Sequence, residues 1–350
     1  MKLPVLGKGA SVSAIGLDIG ARTIKAVQVR RRSGTPEVVA AIEFERSGEE
    51  AMPDQFETER IEGVLFRRGF VGNRLTIVVP REGVFYEEVD RPPRGRGVPE
   101  GQIIRSEIAR VRRLEPDGFE QAWWDVPNES RRGSAGTAMV VGCERAPVLE
   151  AVERFERLGL EIVAVDGAMT ALAGRLGAAG IAGDPFTVLV DLGWSAAAMA
   201  VVYQGVVVYQ RQVEACGLEA VLGRIAKRMN VELDVADHTV RSLGSGIDGE
   251  HAGVQAILNE HGARVADEVQ TSLTYAAHRF RKPAGGLVLL CGGGGELETI
   301  RARVAGTDGC EARVLRPGMF ARFPGGGIRD LNSDCSSLTL ATALAARFDR

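Results

Sequence analysis

The chain has 350 residues, 45% of them hydrophobic and 25% charged, which is ordinary globular usage and excludes fibrous and disordered classes; at roughly 100–200 residues per domain it holds two or three domains. A net charge of −3 and a pI near 6.0 give no overall field that would gather nucleic acid or anionic lipid, so no nucleic-acid partner is expected. The five scattered cysteines include no C-x-x-C pair, which excludes a disulfide framework and a cysteine zinc site and fits a reducing compartment.

The first twenty residues lack the continuous apolar run of a signal peptide. Residues 187–209, the nearest approach to a membrane span, are interrupted by Asp191, Gln204 and two glycines, so the chain is not expected to cross a bilayer by itself. Residues 13–30 read as strand, turn, strand, with the turn at Asp18-Ile19-Gly20-Ala21-Arg22. A strand over 37–44, a helix over 54–68 and a strand over 75–79 complete a first α/β layer. From residue 84 the texture changes to a strand over 84–89, a Pro/Gly/Arg linker over 91–97 and a helix from Glu100 with Ile104, Ile108 and Val111 at helical spacing. A strand over 137–141, a helix opened by Pro147 and closed by Gly159, and a strand over 161–165 follow.

Residues 187–213 repeat the opening design. Ile15-Gly16-Leu17-Asp18-Ile19-Gly20 lies over Val188-Leu189-Val190-Asp191-Leu192-Gly193, and both continue into an apolar strand, which implies a duplicated fold with pseudo-two-fold halves. Residues 216–282 are mainly helical. A strand over 287–290, a run of four glycines over 292–295, a helix over 296–304, a strand over 311–315 and a closing helix over 337–348 end the chain.

In Asp18-x-Gly20, with Thr23 and Lys25 following, a glycine turn lets backbone N–H groups converge on an anion. The carboxylate before the turn cannot touch phosphate without repulsion, so its chemical use is to hold Mg²⁺ through water, and Lys25 adds a point charge. One such turn is ordinary turn chemistry. A second, at Asp191, Gly193 and Ser195, makes a pair able to clamp a polyphosphate from both sides. The glycine run does not have the G-x-G-x-x-G spacing of a dinucleotide site, and Glu296 and Glu298 in the following first turn would repel a pyrophosphate; an uncharged adenosine suits it better.

Phosphate hairpin, inserted subdomain, second phosphate hairpin, helical subdomain, glycine-rich adenosine loop and final helix is the order of the actin and sugar-kinase superfamily. Within it the chain resembles the PilM family, the FtsA-like cytoplasmic proteins of type IV pilus assembly, over about residues 13–348. Gly16-Leu17-Asp18-Ile19-Gly20 with Lys25-Ala26-Val27, Gly159-Leu160-Glu161-Ile162-Val163-Ala164-Val165-Asp166, and Glu268-Val269-Gln270-Thr271-Ser272-Leu273-Thr274-Tyr275 carry the resemblance.

The resemblance implies an α/β actin-like ATPase fold of two duplicated lobes around a nucleotide cleft, divided as 13–80 (first lobe core), 81–165 (inserted small subdomain), 166–215 (connection and second hairpin), 216–285 (helical subdomain) and 286–350 (second lobe core). It implies ATP with Mg²⁺, held by Asp18, Gly20, Thr23 and Lys25, by Asp191, Gly193 and Ser195, and by Gly217, Glu219, Gly292, Gly293 and Gly294 around ribose and adenine. Asp18 and Asp191 would be the Mg²⁺ carboxylates. The expected partner is the N-terminal cytoplasmic peptide of an inner-membrane PilN-like protein, bound in a groove within 75–165; self-association stays open, and the location is cytoplasmic, peripheral to the inner membrane through partners. Ala21-Arg22 and Trp194-Ser195-Ala196-Ala197 depart from the family's hydroxyl-rich turns, so hydrolysis is expected to be weak or absent.

Two other readings share this fold. A sugar or metabolite kinase would need a cleft base, for which Asp166 is the further candidate. An FtsA-like division filament would carry a terminal amphipathic membrane helix, whereas residues 341–350 read as a buried interdomain helix. The arginine-rich 91–132 stretch is interleaved with acids and reads as a solvated mixed face, and the adjacent Trp123 and Trp124 point to opposite faces if extended. His238, His251, His261 and His278 show no ligand spacing.

Overall fold

The computed structural model describes residues 12–31, 36–48, 50–91, 99–127, 136–243, 252–323 and 335–347. The linker beyond Arg91, His251 and the last residues of the closing helix lie outside the described residues. Strands β1 (Ile15–Ile19), β2 (Thr23–Arg30) and β3 (Glu37–Glu45) form an antiparallel meander. Helix α1 (Gln55–Arg67) then carries the chain over to β4 (Arg74–Val78), parallel to β1, because parallel neighbours need a crossover. Asp54 starts α1 by accepting from the Glu57 backbone N–H at 2.7 Å, which satisfies one of the helix's orphan donors.

The inserted unit is an antiparallel sheet of β5 (Val84–Asp90), β6 (Phe119–Val126) and β7 (Thr137–Glu144) in the order β5-β7-β6, with α2 (Glu100–Arg112) between the first two in sequence. Ile104 and Ile108 of α2 pack with Phe85, Phe119 and Val140 of the sheet. Helix α3 (Arg145–Arg157) and β8 (Glu161–Asp166) follow. Sequence reading placed 145–165 in the inserted unit, but β8 hydrogen-bonds to β4 and completes the first sheet, while Ala151 and Phe155 of α3 enter the core of Ile61 and Leu65. Strand pairing therefore ends the insert at Glu144. Strand β6, not expected from the sequence, settles the tryptophans: Trp123 lies with the α2 core, and Trp124 donates its indole N–H to Val207 O at 2.7 Å in the second lobe.

After α4 (Ala168–Leu176), the meander β9 (Phe186–Leu192), β10 (Ala197–Tyr203) and β11 (Val206–Val213) repeats β1–β3. The crossover is now α5 (Leu218–Met229), α6 (Leu233–Leu243) and α7 (Ala252–Phe280), leading to β12 (Gly286–Cys291), α8 (Glu298–Ala305), β13 (Cys310–Val314) and α9 (Thr339–Ala345). The two large sheets have matching orders, β3-β2-β1-β4-β8 and β11-β10-β9-β12-β13. Every residue of β9 and β10 is buried, as expected for strands covered on both faces, and this removes the period-two pattern from their sequences.

The last helix of each half packs on the other half. Helix α4, which follows the first sheet, sets Leu172 and Leu176 against Leu189, Ala198 and Ala200 of the second. Helix α9, which follows the second sheet, sets Ala341 and Ala345 against Val27 and Val29 of the first. Small residues on α9 allow close approach: a Cβ on Gly16 of β1 would overlap Ala341 O and crowd Ala345 N.

Two predictions follow from this packing. Gly16→Ala should lower unfolding stability by about 1–3 kcal/mol through overpacking, whereas Gly223→Ala, inside α5 with open space around it, should raise it by about 0.5–1 kcal/mol; urea titrations of the two variants decide, and equal effects would contradict the crossed-helix contact. His261 is buried, its Nε2 has no hydrogen-bond partner, and burial, helped by Arg264 and Arg224, lowers its pKa to about 4. Because the folded value lies below the usual 6.5, the unfolded chain takes up the proton first. Stability should thus be full above pH 6.5 and fall as pH drops toward 4, by on the order of 3 kcal/mol, and His261→Gln should flatten that segment of the profile.

Candidate functional site

The two duplicated meanders bring their first turns to one cleft. In the first, Asp18 lies opposite Lys25 in the β1–β2 register, Gly20 N donates to Thr23 O at 3.0 Å, and Lys25 Nζ stands 3.5 Å from Asp18 Oδ2. A Cβ on Gly20 would come within 2.9 Å of Lys25 Nζ, so glycine keeps the lysine over the turn. Thr23, on the same face of β2 as Lys25, donates to Glu43 Oε1 at 2.9 Å. In the second meander Asp191 lies opposite Ala198, so this carboxylate has no lysine of its own. Its cation comes from the first lobe: Arg81, three residues past β4, donates from one guanidinium nitrogen to Asp191 Oδ2 and from the other to Ala196 O at 3.0 Å.

A cleft of about 690 Å³ is lined by both turns, including Asp18, Gly20, Thr23, Lys25, Asp191, Gly193 and Ser195. Gly292 and Gly293 line it as well. Gly292 has φ +79°, and a Cβ there would overlap Asp191 Oδ1; the residue both adopts a left-handed conformation and lies against the carboxylate, which only glycine allows without strain. Burial raises the Asp18 carboxyl above the ordinary carboxylate range, Lys25 lowers it, Asp191 raises it and Arg81 lowers it again. The two aspartates therefore sense one another across a shared space.

Three of the expected residues do not line the cleft. Gly217 lies beneath the second turn, where a Cβ would meet Ser195 O at 2.5 Å. The Glu219 side chain is exposed and its backbone N–H donates to Trp194 O at 3.0 Å. With Leu218 N donating to Gly193 O at 3.0 Å, the start of α5 spends its free N–H groups on the turn itself, which is why these positions support the site and do not face into it. Gly294 packs against Leu218, whose Cδ2 would stand 2.8 Å from a Cβ there. The helix expected from Glu296 begins at Glu298; Glu296 instead accepts from Ser336 N at 3.0 Å and from Arg316 at 3.0 Å.

Sequence reasoning missed the groups that join the lobes. Arg22, in the first turn, donates to Asp237 at 2.9 Å and to Asp234 at 2.7 Å on α6 and stacks 4.4 Å over the Trp194 ring of the second turn. Asp237 also accepts from Arg241 Nε at 2.8 Å, and Arg241 reaches Gly293 O at 3.1 Å. A chain of charge-assisted bonds thus crosses the cleft mouth from the first turn to the glycine loop. Arg22 and Trp194 are the very residues that stand where hydroxyls were expected, and that departure was their only sequence signal.

The donor set can be tested against the groups a site of this shape suggests. Two glycine turns and a glycine loop around one space, with Lys25 beside it, fit a nucleotide. The two carboxylates fit Mg²⁺ in kind, since that ion takes one or two carboxylates and keeps its waters, but Lys25 and Arg81 already compensate them. Among the described residues no group of three or more His, Cys, Asp or Glu is placed to hold a metal by itself.

The model of the type IV pilus assembly protein PilM family matches residues 126–348, more than half the chain. None of the curated protein sequences matches it. Among solved structures, the chain is similar to a PilM-PilN type IV pilus biogenesis complex at 17% identity and TM-score 0.77, with 95% of this chain and 97% of that one covered. It is also similar to the ethanolamine utilization protein EutJ from Carboxydothermus hydrogenoformans at 15% identity and TM-score 0.55, covering 98% and 92%. Identities this low speak for fold, and the fold is the actin-like ATPase architecture of two duplicated α/β lobes around a cleft. With the family match spanning the second hairpin, the helical subdomain and the closing helix, the chain belongs to the PilM family of type IV pilus assembly proteins.

Proposed function

We propose that this chain is an ATP-binding scaffold of type IV pilus assembly, or of a related secretion machine, that docks the N-terminal cytoplasmic peptide of a PilN-like inner-membrane protein. The observation that carries the nucleotide half is the meeting of the Asp18 and Asp191 turns over one cleft of about 690 Å³ with the glycine loop as a further wall. Lys25 and the turn N–H groups would face the phosphates and Gly292 and Gly293 the adenosine. If Mg²⁺ accompanies the phosphates, Asp18 and Asp191 would meet it through its water shell.

Hydrolysis is weak or absent in this reading, because the turns are poor in hydroxyls and the Glu43 carboxylate in the cleft is engaged. Glu43 accepts from Thr23 at 2.9 Å and from Ser337 at 2.6 Å. In the kinase alternative the further candidate base is already engaged: Asp166 accepts from Gly167 N at 2.8 Å and Thr170 Oγ1 at 2.7 Å and pairs with Arg347, at the start of α4.

For the peptide, the inserted unit offers a groove of about 890 Å³ between β5 and α2, lined by Val89, Pro99, Ile103 and Val111 among polar neighbours. Ile103 and Val111 are exposed apolar side chains, and β5 is an edge strand. An extended peptide could pair with the free edge and seat alternate apolar side chains in the groove. Among the described residues no helix is long and apolar enough to cross a membrane. The reading places the protein in the cytoplasm, held at the inner membrane by its partner.

Calorimetric titration tests both halves. Wild type should bind ATP, and Lys25→Ala should weaken it by about tenfold or more, near 1.4 kcal/mol, while leaving the peptide affinity nearly unchanged. Ile103→Arg should abolish binding of a synthetic PilN-type N-terminal peptide and leave ATP binding intact. Absence of heat with both ATP and the peptide for the folded wild type would refute the reading.

A further inference from the structure

The duplication is broken at one chemically telling place. Asp18 and Asp191 occupy equivalent positions, but their cross-strand partners are Lys25 and Ala198. The loops after the equivalent strands β4 and β12 differ in the same sense. The first lobe continues Val79-Pro80-Arg81, whereas the second continues Gly292-Gly293-Gly294, with Cys291 beside Asp191 in the register. One lobe thus lends a cation to the other, which has none of its own on β10, and receives a glycine wall facing it.

Arg81 is well placed for this. Its guanidinium lies across the second turn, held by Asp191 and by Ala196 O, and a Cβ on Gly193 would come within 2.9 Å of its Nη1. Its backbone is fixed too, since Gln212 Nε2 donates to Arg81 O at 2.7 Å. Guanidinium is charged at every relevant pH, is weakly hydrated and carries five N–H donors. Two partners leave donors for an anion in the cleft.

We propose that Arg81 is a resident cation that supplies, at Asp191, the charge compensation a divalent ion would otherwise bring, so that nucleotide phosphates bind this chain without Mg²⁺. This rests on the nucleotide reading above and deepens it. A triphosphate entering a cleft with two bare carboxylates would be repelled unless a metal came with it. Here Lys25 answers Asp18 and Arg81 answers Asp191, and the compensation is covalently part of the chain.

The experiment is a fluorescence titration of a labelled ATP analogue, confirmed with unlabelled ATP as competitor, in EDTA and in excess Mg²⁺. Wild type should bind with affinities that agree within about twofold in the two buffers, and Arg81→Gln should lose about tenfold or more in EDTA and recover most of it on adding Mg²⁺. Wild-type binding that needs Mg²⁺, or an Arg81→Gln affinity in EDTA equal to wild type, overturns the role of Arg81 while leaving the nucleotide site standing. Wild type that binds in neither buffer overturns both. Thermal unfolding without nucleotide reports whether each variant folds. Should Arg81→Gln fail to fold, Arg81→Lys, which keeps the charge and loses the fork, should fall between wild type and loss in EDTA, and no change in it would equally overturn the proposal.

Discussion

The whole arrangement depends on two short helices that each close the opposite half. Because α4 leaves the first sheet and packs on the second, and α9 leaves the second sheet and packs on the first, neither lobe has a complete core alone. The contact is intimate enough that Gly16 cannot carry a Cβ beneath α9. Interiors packed at crystal-like density transmit displacement and do not absorb it. A displacement of either helix is therefore passed to the sheet of the opposite half through the α4–α9 crossing.

The inserted unit is positioned to feel such movement. It hangs from the first lobe through β4 and α3, yet Trp124 reaches Val207 of β11 and Glu88 of β5 pairs with Arg279 at the end of α7. Glu88 also lines the groove between β5 and α2. The groove proposed for a peptide is thus tied to the second lobe at one edge and to the first at its base. Coupling between cleft and groove would run through this ion pair, and linkage makes any such effect reciprocal.

Much of this was legible in the sequence because it is local. The two Asp-x-Gly turns, the repeat of the opening hairpin and the stripe of Ile104 and Ile108 on α2 all lie within a few residues of the structure they specify. What was not legible is long-range. Arg81 and Asp191 are 110 positions apart and Arg22 and Asp237 215 apart, and no spacing rule connects an arginine in one loop to a carboxylate in another lobe. Strand β6 escaped notice because Glu-Gln-Ala-Trp-Trp-Asp mixes polar and aromatic residues on both faces, one against α2 and one against the second lobe. The assignment of Gly217, Glu219 and Gly294 to the cleft followed family order; the backbone of α5 turned out to serve the second turn.

The same long-range pairs explain why a hydroxyl-poor cleft is a coherent design. Where serines and threonines would offer donors to phosphate and orient a water, this chain places Arg22 against Trp194, with Asp234 and Asp237 behind the guanidinium. An arginine stacked on an indole and forked onto carboxylates is a stiff, weakly hydrated tie, better at holding two surfaces at a set distance than at positioning a reactive water. Thr23, the one hydroxyl kept from the first turn's expected set, is turned onto Glu43, and Glu43 in turn holds Ser337 beside α9. Thr23 and Glu43 are thereby committed to joining one part of the fold to another.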